Sequence, residues 1–106
     1  MKWLAALVAL GVANPAQAQW ISGNDLQKWC SSSDTFYKGQ CLAFTMGVLD
    51  ASPAYDTPQG VTRGQLMAVV TQYLANNPAD WNLPASILVK LAVAQAWPKP
   101  KSAPRK

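Results

Sequence analysis

The sequence predicts an all-α fold, a small bundle of four to five helices stapled by one disulfide. Three observations lead there. Apolar residues recur at helical spacing along most of the chain, and no stretch alternates as a half-buried strand would. The chain has 106 residues and starts like a leader peptide, so the remainder is enough for one small domain. Its only two cysteines, Cys30 and Cys41, stand close together in a chain that reads as exported.

The leader comes first. Lys2 gives a positive start, Trp3 to Val12 is an uncharged and largely apolar run, and Ala16-Gln17-Ala18 comes after a turn-forming Asn14-Pro15 pair. Those are the charged region, the apolar region and the A-x-A cleavage site of a secretory signal peptide, so residues 1–18 are expected to be removed after Ala18. The apolar run is too short to cross a bilayer, which takes about 20 residues. The domain is then expected over residues 19–98, with a basic tail over residues 99–106.

Ser22 or Asn24 can cap a short first helix that ends near Cys30, and "SSSD" breaks it. Asp34 sits where a second helix begins, a favourable place for a negative charge. Tyr37, Cys41, Phe44, Val48 and Ala51 trace one face of that helix, with Leu42 and Leu49 widening it. Tyr37 opens this face, where its ring can pack while its hydroxyl reaches water. Gly39 and Gly47 lie inside the run and are read as marks of close helix packing.

A loop rich in turn formers, "ASPAYDTPQG", separates this helix from the next. Thr62 and Gln65 form a capping box, and Val61 and Leu66 are spaced as a hydrophobic staple. Leu66, Val69, Val70, Tyr73 and Leu74 then keep helical spacing until Asn76-Asn77-Pro78 stops it. Pro84 is placed in the first turn of the last helix, where its missing N–H is harmless. From Ala85 to Trp97 only Ser86, Lys90 and Gln95 are polar, so that helix is apolar over most of its circumference. It is either the central helix of the bundle or part of a dimer interface.

The two cysteines could be half a metal site, a redox couple, a nucleophile with a bystander, or a staple. Metal binding needs further ligands, and the chain has no histidine. A redox couple is normally C-x-x-C, and a catalytic cysteine wants a histidine base. A structural Cys30–Cys41 disulfide is therefore expected, stabilising the fold by roughly 3 kcal/mol in the chain-entropy model. In a domain with so small a core that is a large share of the net stability.

The formal net charge is +4, but it is uneven. Lys99, Lys101, Arg105 and Lys106 crowd the end, whereas Lys28, Lys38, Arg63 and Lys90 face Asp25, Asp34, Asp50, Asp56 and Asp80 in the domain. The domain is thus near-neutral and the proline-broken tail, without aromatics, is expected to be disordered and solvated. No aromatics are interleaved with basic residues, which argues against nucleic-acid binding. The chain has no glutamate, and no two aspartates share i, i+3 or i+4 spacing, so no local acid–base dyad is present. Ser31, Ser32 and Ser33 have no local base partner, and no phosphate-binding glycine loop occurs. Trp20, Trp29, Trp81 and Trp97 read as packing anchors, with Trp20 and Trp81 also open to an interface. The residues argue for a binding protein rather than an enzyme, with no cofactor and no metal.

The segments "GNDLQKWC", "GQCLAFTMGVLDA", "PQGVTRGQLMAVVTQYLANNP" and "LPASILVKLAVAQAWP" together resemble the Rap/Tai family of type VI secretion immunity proteins. The resemblance runs from Gly23 to Pro98. Its most specific parts are Cys41 with Gly47 and the "GVTRGQL" block with the "YL" and "NP" beyond it. It implies a small exported helical protein that protects its producer's periplasm from a peptidoglycan amidase delivered by neighbouring cells. Members of the family bind the toxin and obstruct its substrate cleft, often as homodimers. One departure matters: the family pattern has two more cysteines, at the places taken here by Thr57 and Lys99. Both are missing together, as loss of a paired bridge would look, and the loop from Ser52 to Gly60 is then less restrained.

That loop supplies the partner-binding candidates Tyr55, Asp56 and Gln59, an aromatic and polar groups where no core residue is needed. A second function class is a small periplasmic stress or chaperone-like helical protein without a toxin partner. It would expose apolar surface on acid or heat stress, yet the chain has no histidine or glutamate to titrate on mild acidification.

Overall fold

The structure, a computed structural model, describes residues 20–99. The expected signal peptide and all of the tail beyond Lys99 lie outside the described residues. Among the described residues four α-helices succeed one another: α1 Gly23–Ser31, α2 Thr35–Asp50, α3 Arg63–Asn76 and α4 Ala85–Ala96, with short 3₁₀ turns at Pro53–Tyr55 and Pro78–Asp80. Among the described residues the only extended pairing is an isolated antiparallel bridge between Ser22 and Pro84. The fold is the all-α bundle the sequence predicts.

Side-chain caps set the helix starts. Ser22, not Asn24, caps α1: its hydroxyl accepts from the Asp25 amide while the Asp25 carboxylate accepts from the Ser22 N–H. Asn24 turns to another task, donating from its side chain to the Trp81 carbonyl at 3.1 Å. Asp34 caps α2 by accepting from the Phe36 amide at 2.9 Å. Thr62 and Gln65 close the expected capping box on α3, and Val61 and Leu66 both join the core as a staple would have them. Pro84 stands one place earlier than expected, as the residue before α4. There its ring loses nothing, because the Ser22 bridge uses the neighbouring groups: Gly23 donates to the Leu83 carbonyl at 2.8 Å and Ala85 to the Ile21 carbonyl at 2.9 Å.

The core centres on α4, which packs against each of the other three helices. Ala85, Leu88, Val89, Ala92 and Val93 are buried, and they meet Leu26 from α1 and Leu66, Val70 and Leu74 from α3. The central position of α4 explains its nearly all-round apolar sequence. Its outer side is nevertheless apolar too: Ile87 and Leu91 are each 40% exposed. Cys30 and Cys41 are bonded, tying the end of α1 to the body of α2. Both are buried.

Two expectations for α2 are corrected. The buried pair on this helix is Cys41 and Thr45, one turn apart, while Phe44 and Val48 are half-buried and Tyr37 and Ala51 are exposed. The disulfide fixes the rotation of α2 about its axis, and apolar residues on several sides let it. Tyr37 packs edge-on against Phe36 at 5.2 Å between ring centres, both on the surface. The Thr45 hydroxyl, buried on the face that turned inward, has no hydrogen-bond partner, which costs about 1–3 kcal/mol in such a site. Gly39 and Gly47 do not mark close packing either, since nothing would meet a side chain at either place. Close approach occurs instead at Gly23, where a Cβ would land on the Leu88 side chain and 2.6 Å from the Trp81 carbonyl oxygen.

The tryptophans divide. Trp29 packs edge-on against Phe44, with ring centres 6.4 Å apart. Trp81 donates its indole N–H to the Leu74 carbonyl at 2.9 Å, holding the α3–α4 connection onto α3. Beside it Tyr73 donates to an Asp80 carboxylate oxygen at 3.3 Å. Burial, then the Asp80 charge and that bond, hold the Tyr73 hydroxyl above the usual tyrosine range. Trp97 packs against the core at the end of α4. Trp20 does not act as an anchor, being 90% exposed.

Candidate partner-binding surface

The loop between α2 and α3 is built by a sequence of local stops. The Ala51 N–H is shared among the carbonyls of Gly47, Val48 and Leu49, closing α2, and Ser52 donates back to Leu49 at 3.0 Å. Pro53 starts a 3₁₀ turn that closes with Tyr55 donating to Ser52 at 2.8 Å. Asp56 is extended, and a second turn closes where Val61 donates to the Pro58 carbonyl at 3.3 Å. Gly60 takes φ +94° in that turn, a conformation other residues avoid, and Gln59 sits beside it at the apex. A stretch that reads in sequence only as rich in turn formers thus has two defined turns.

These turns make a ridge with a cleft on each side. On one side lies an open cleft of about 540 Å³, walled by Met46, Leu49, Asp50, Tyr55, Asp56 and Arg63. On the other lies a mainly apolar cavity of about 250 Å³, walled by Tyr55, Asp56, Val93, Ala94, Trp97 and Lys99. A third, shallower cleft of about 510 Å³ lies between Phe44 and Val48 on α2 and Ser86 and Lys90 on α4. Tyr55 and Asp56 are common to the first two.

The three candidates have different roles in this geometry. Tyr55 is half-buried, packs against the core, and holds its ring 5.7 Å from the Lys90 ammonium. That is a cation–π contact. It anchors the ridge as much as it displays it. Asp56 is exposed on the ridge crest, and Gln59 is exposed at the neighbouring turn. The structure brings Tyr55 and Asp56 together and leaves Gln59 outside the clefts' linings. Sequence reasoning missed the walls. Met46 and Leu49 belong to the last turns of α2, and Arg63 comes directly after the Thr62 cap, so each flanks the loop. Trp97 and Lys99 come from the far end of the domain, and no local signal links them to this loop.

Thr57 lines the first cleft, and Lys99 lines the cavity it shares with Asp56. The two segments where the resemblance places further cysteines therefore meet at this ridge. The groups assembled here are carboxylates, one guanidinium and apolar floors. No group of three potential metal ligands gathers among the described residues. None of the described helices is long and apolar enough to cross a membrane.

The comparisons with known proteins give one positive finding. A family model described as Rap1a immunity proteins matches residues 22–98. No curated protein and no solved structure matches the chain.

Proposed function

The chain belongs to the Rap1a immunity proteins, and from that premise we propose that it binds and occludes a type VI secretion effector, a peptidoglycan amidase, in the periplasm. The observation that carries this reading is the family match over nearly all of the described domain. The Cys30–Cys41 bond fits an oxidising compartment, as export by a cleaved signal peptide over residues 1–18 would provide. The ridge supports the mode of action. It stands out between two clefts, it is held by defined turns, and its crest carries Asp56 and Gln59 where packing does not need them. Insertion of such a ridge into an enzyme's substrate groove inhibits by shape and needs no reaction.

The partner acts as a docking surface for the ridge, and a homodimer presents it twice. Leu83, just before α4, and Ile87 and Leu91 on its outer side are 38–40% exposed each and support pairing there. Titration of a purified amidase effector with the mature chain tests both points. Asp56→Lys and Gln59→Ala are expected to weaken binding about tenfold or more, about 1.4 kcal/mol. Both variants leave the melting temperature unchanged, because both side chains are exposed. Lys28→Ala on the exposed side of α1 is the control that leaves affinity intact. Light scattering on the same samples reads a dimeric immunity protein. Full affinity in both ridge variants sinks the ridge as the contact, and a monomer in the complex sinks the dimer.

A further inference from the structure

Between Ala85 and Trp97 only Ser86, Lys90 and Gln95 are polar, and Ser86 and Lys90 stand at one place. One turn apart on α4, they form one wall of the open cleft of about 510 Å³ between α4 and α2. Phe44 and Val48, one turn apart on α2, form the apolar wall. Gly47 lines the cleft beside them, and nothing stands within 4 Å of where its side chain would be, so a ligand can come down to the helix there. Ser52 adds a second hydroxyl from the turn after α2. Lys90 is the only charged side chain in the lining. Its ammonium is already placed, 5.7 Å from the centre of the Tyr55 ring. Tyr55 in turn is tied to the Ser52 carbonyl at 2.8 Å.

We infer that this cleft takes an acidic segment of the protein partner, with a carboxylate on Lys90 between the Ser52 and Ser86 hydroxyls and the residue beside that carboxylate against Phe44 and Val48. Charge carries the first half: the lining has one cation and no acid, so an anion completes it. A cation held on a ring keeps free N–H donors and loses little freedom on binding. Lys90 is half-buried, so a pair formed there is screened less than one on the open surface. The apolar wall carries the second half, because a bare phosphate or a sugar would leave Phe44 and Val48 without a partner, whereas an aspartate or glutamate next to an aliphatic residue uses both walls. The volume suits a short peptide segment, since recessed ligand sites span about 300–1,000 Å³. Tyr55 also walls both clefts of the ridge, so this cleft continues the candidate surface around it. The inference deepens the proposed function and rests on it only for which protein supplies the acidic segment.

Amide ¹⁵N spectra of residues 19–106, titrated with the capped peptide acetyl-Leu-Asp-Leu-amide, test it without a toxin, and acetyl-Leu-Asn-Leu-amide is the neutral match. Saturable shifts are expected at Gly47, Ser52, Ser86 and Lys90, with the asparaginyl peptide about tenfold weaker at about 20 mM salt. At about 300 mM salt most of that difference should be gone. Lys90→Met should lose the discrimination, and Lys90→Arg, which keeps a cation over Tyr55, should retain it. Gly47→Leu fills the cleft without touching Lys90 and should weaken both peptides while the fold stays intact. Equal binding of the two peptides, shifts confined to other surfaces, or discrimination that survives Lys90→Met overturns the inference. So do shifts at the cleft that grow with protein concentration in the absence of peptide, which mean that a second copy fills it. A purified amidase effector should bind Lys90→Met and Gly47→Leu about tenfold more weakly than the unaltered chain, and unchanged affinity in both overturns the inference as well. An effector that does not bind the unaltered chain counts against the proposed function alone, because the peptide titration reads the cleft by itself.

Discussion

Replacing both cysteines, Cys30→Ala with Cys41→Ala, is expected to lower the unfolding free energy by about 3 kcal/mol. For a domain of this size that is a fall of about 12–24 °C in melting temperature. The bond joins residues 11 apart in sequence, and the closed loop removes entropy from the unfolded chain. In the folded state it holds α2 in the rotation that buries Cys41 and Thr45. Without it the half-buried Phe44 and Val48 compete for the inner face, and the orphaned Thr45 hydroxyl gains by turning out. Alanine is preferred to serine, because both sites are buried and a serine hydroxyl there would go unpaired. Thermal denaturation monitored by circular dichroism checks the value, and dithiothreitol should bring the unaltered protein down by a similar amount. A change of only a few degrees in both arms would mean that helix packing alone holds the bundle.

Gly23→Ala is the second large effect, a loss of about 1–3 kcal/mol. The sign is the informative part, because glycine to alanine inside a helix normally stabilises by about 0.5–1 kcal/mol. Here the added methyl meets two groups that cannot yield. Leu88 is fully buried in the middle of the core. The Trp81 carbonyl is held from both sides: it accepts from the Asn24 side chain at 3.1 Å, and its own indole is bound to Leu74 at 2.9 Å. Gly23 itself is tied to Leu83 at 2.8 Å. Space is open at Gly39 and Gly47, so alanine at either helical position should stabilise by the ordinary amount. Urea unfolding of the three variants reads opposite signs. If Gly23→Ala stabilised like the others, the close contact of α1 with the α4 entry would be wrong.

Much of the fold was legible because its signals are local. A cap needs only a hydroxyl or carboxylate and the amides just after it, and the Thr62 box and the Asp34 cap read directly from spacing. The inner face of α3 was largely legible too: Leu66, Val70 and Leu74 of the expected face are buried, and Val69 and Tyr73 are half-buried at its edges. The rotation of α2 was not. Leu42, Phe44, Met46, Val48 and Leu49 put apolar groups on several sides, so periodicity does not choose among them, and a covalent bond to α1 does. Trp20 shows the converse: a large aromatic side chain packs only if a partner surface reaches it, and composition does not say whether one does.

The candidate surface was half legible for the same reason. A loop with an aromatic and a charge between two helices is visible in sequence, and Tyr55 and Asp56 do stand together on the ridge. Its walls are tertiary. Trp97 and Lys99 reach the ridge only because α4 runs through the centre of the bundle and ends beside Tyr55. The meeting of the Thr57 and Lys99 segments there could not be read from their separation along the chain.

The proposed action by shape is tested most directly by recovering what the chain grips. A tagged chain of residues 19–106 is passed through lysate of the producing cells, and the retained proteins are identified by mass spectrometry and assayed on purified cell wall. The expected catch is a peptidoglycan amidase whose hydrolysis stops once the chain is present in equal amount. Retention of no cell-wall hydrolase, or of one that keeps hydrolysing at full rate while bound, contradicts an occluding immunity protein.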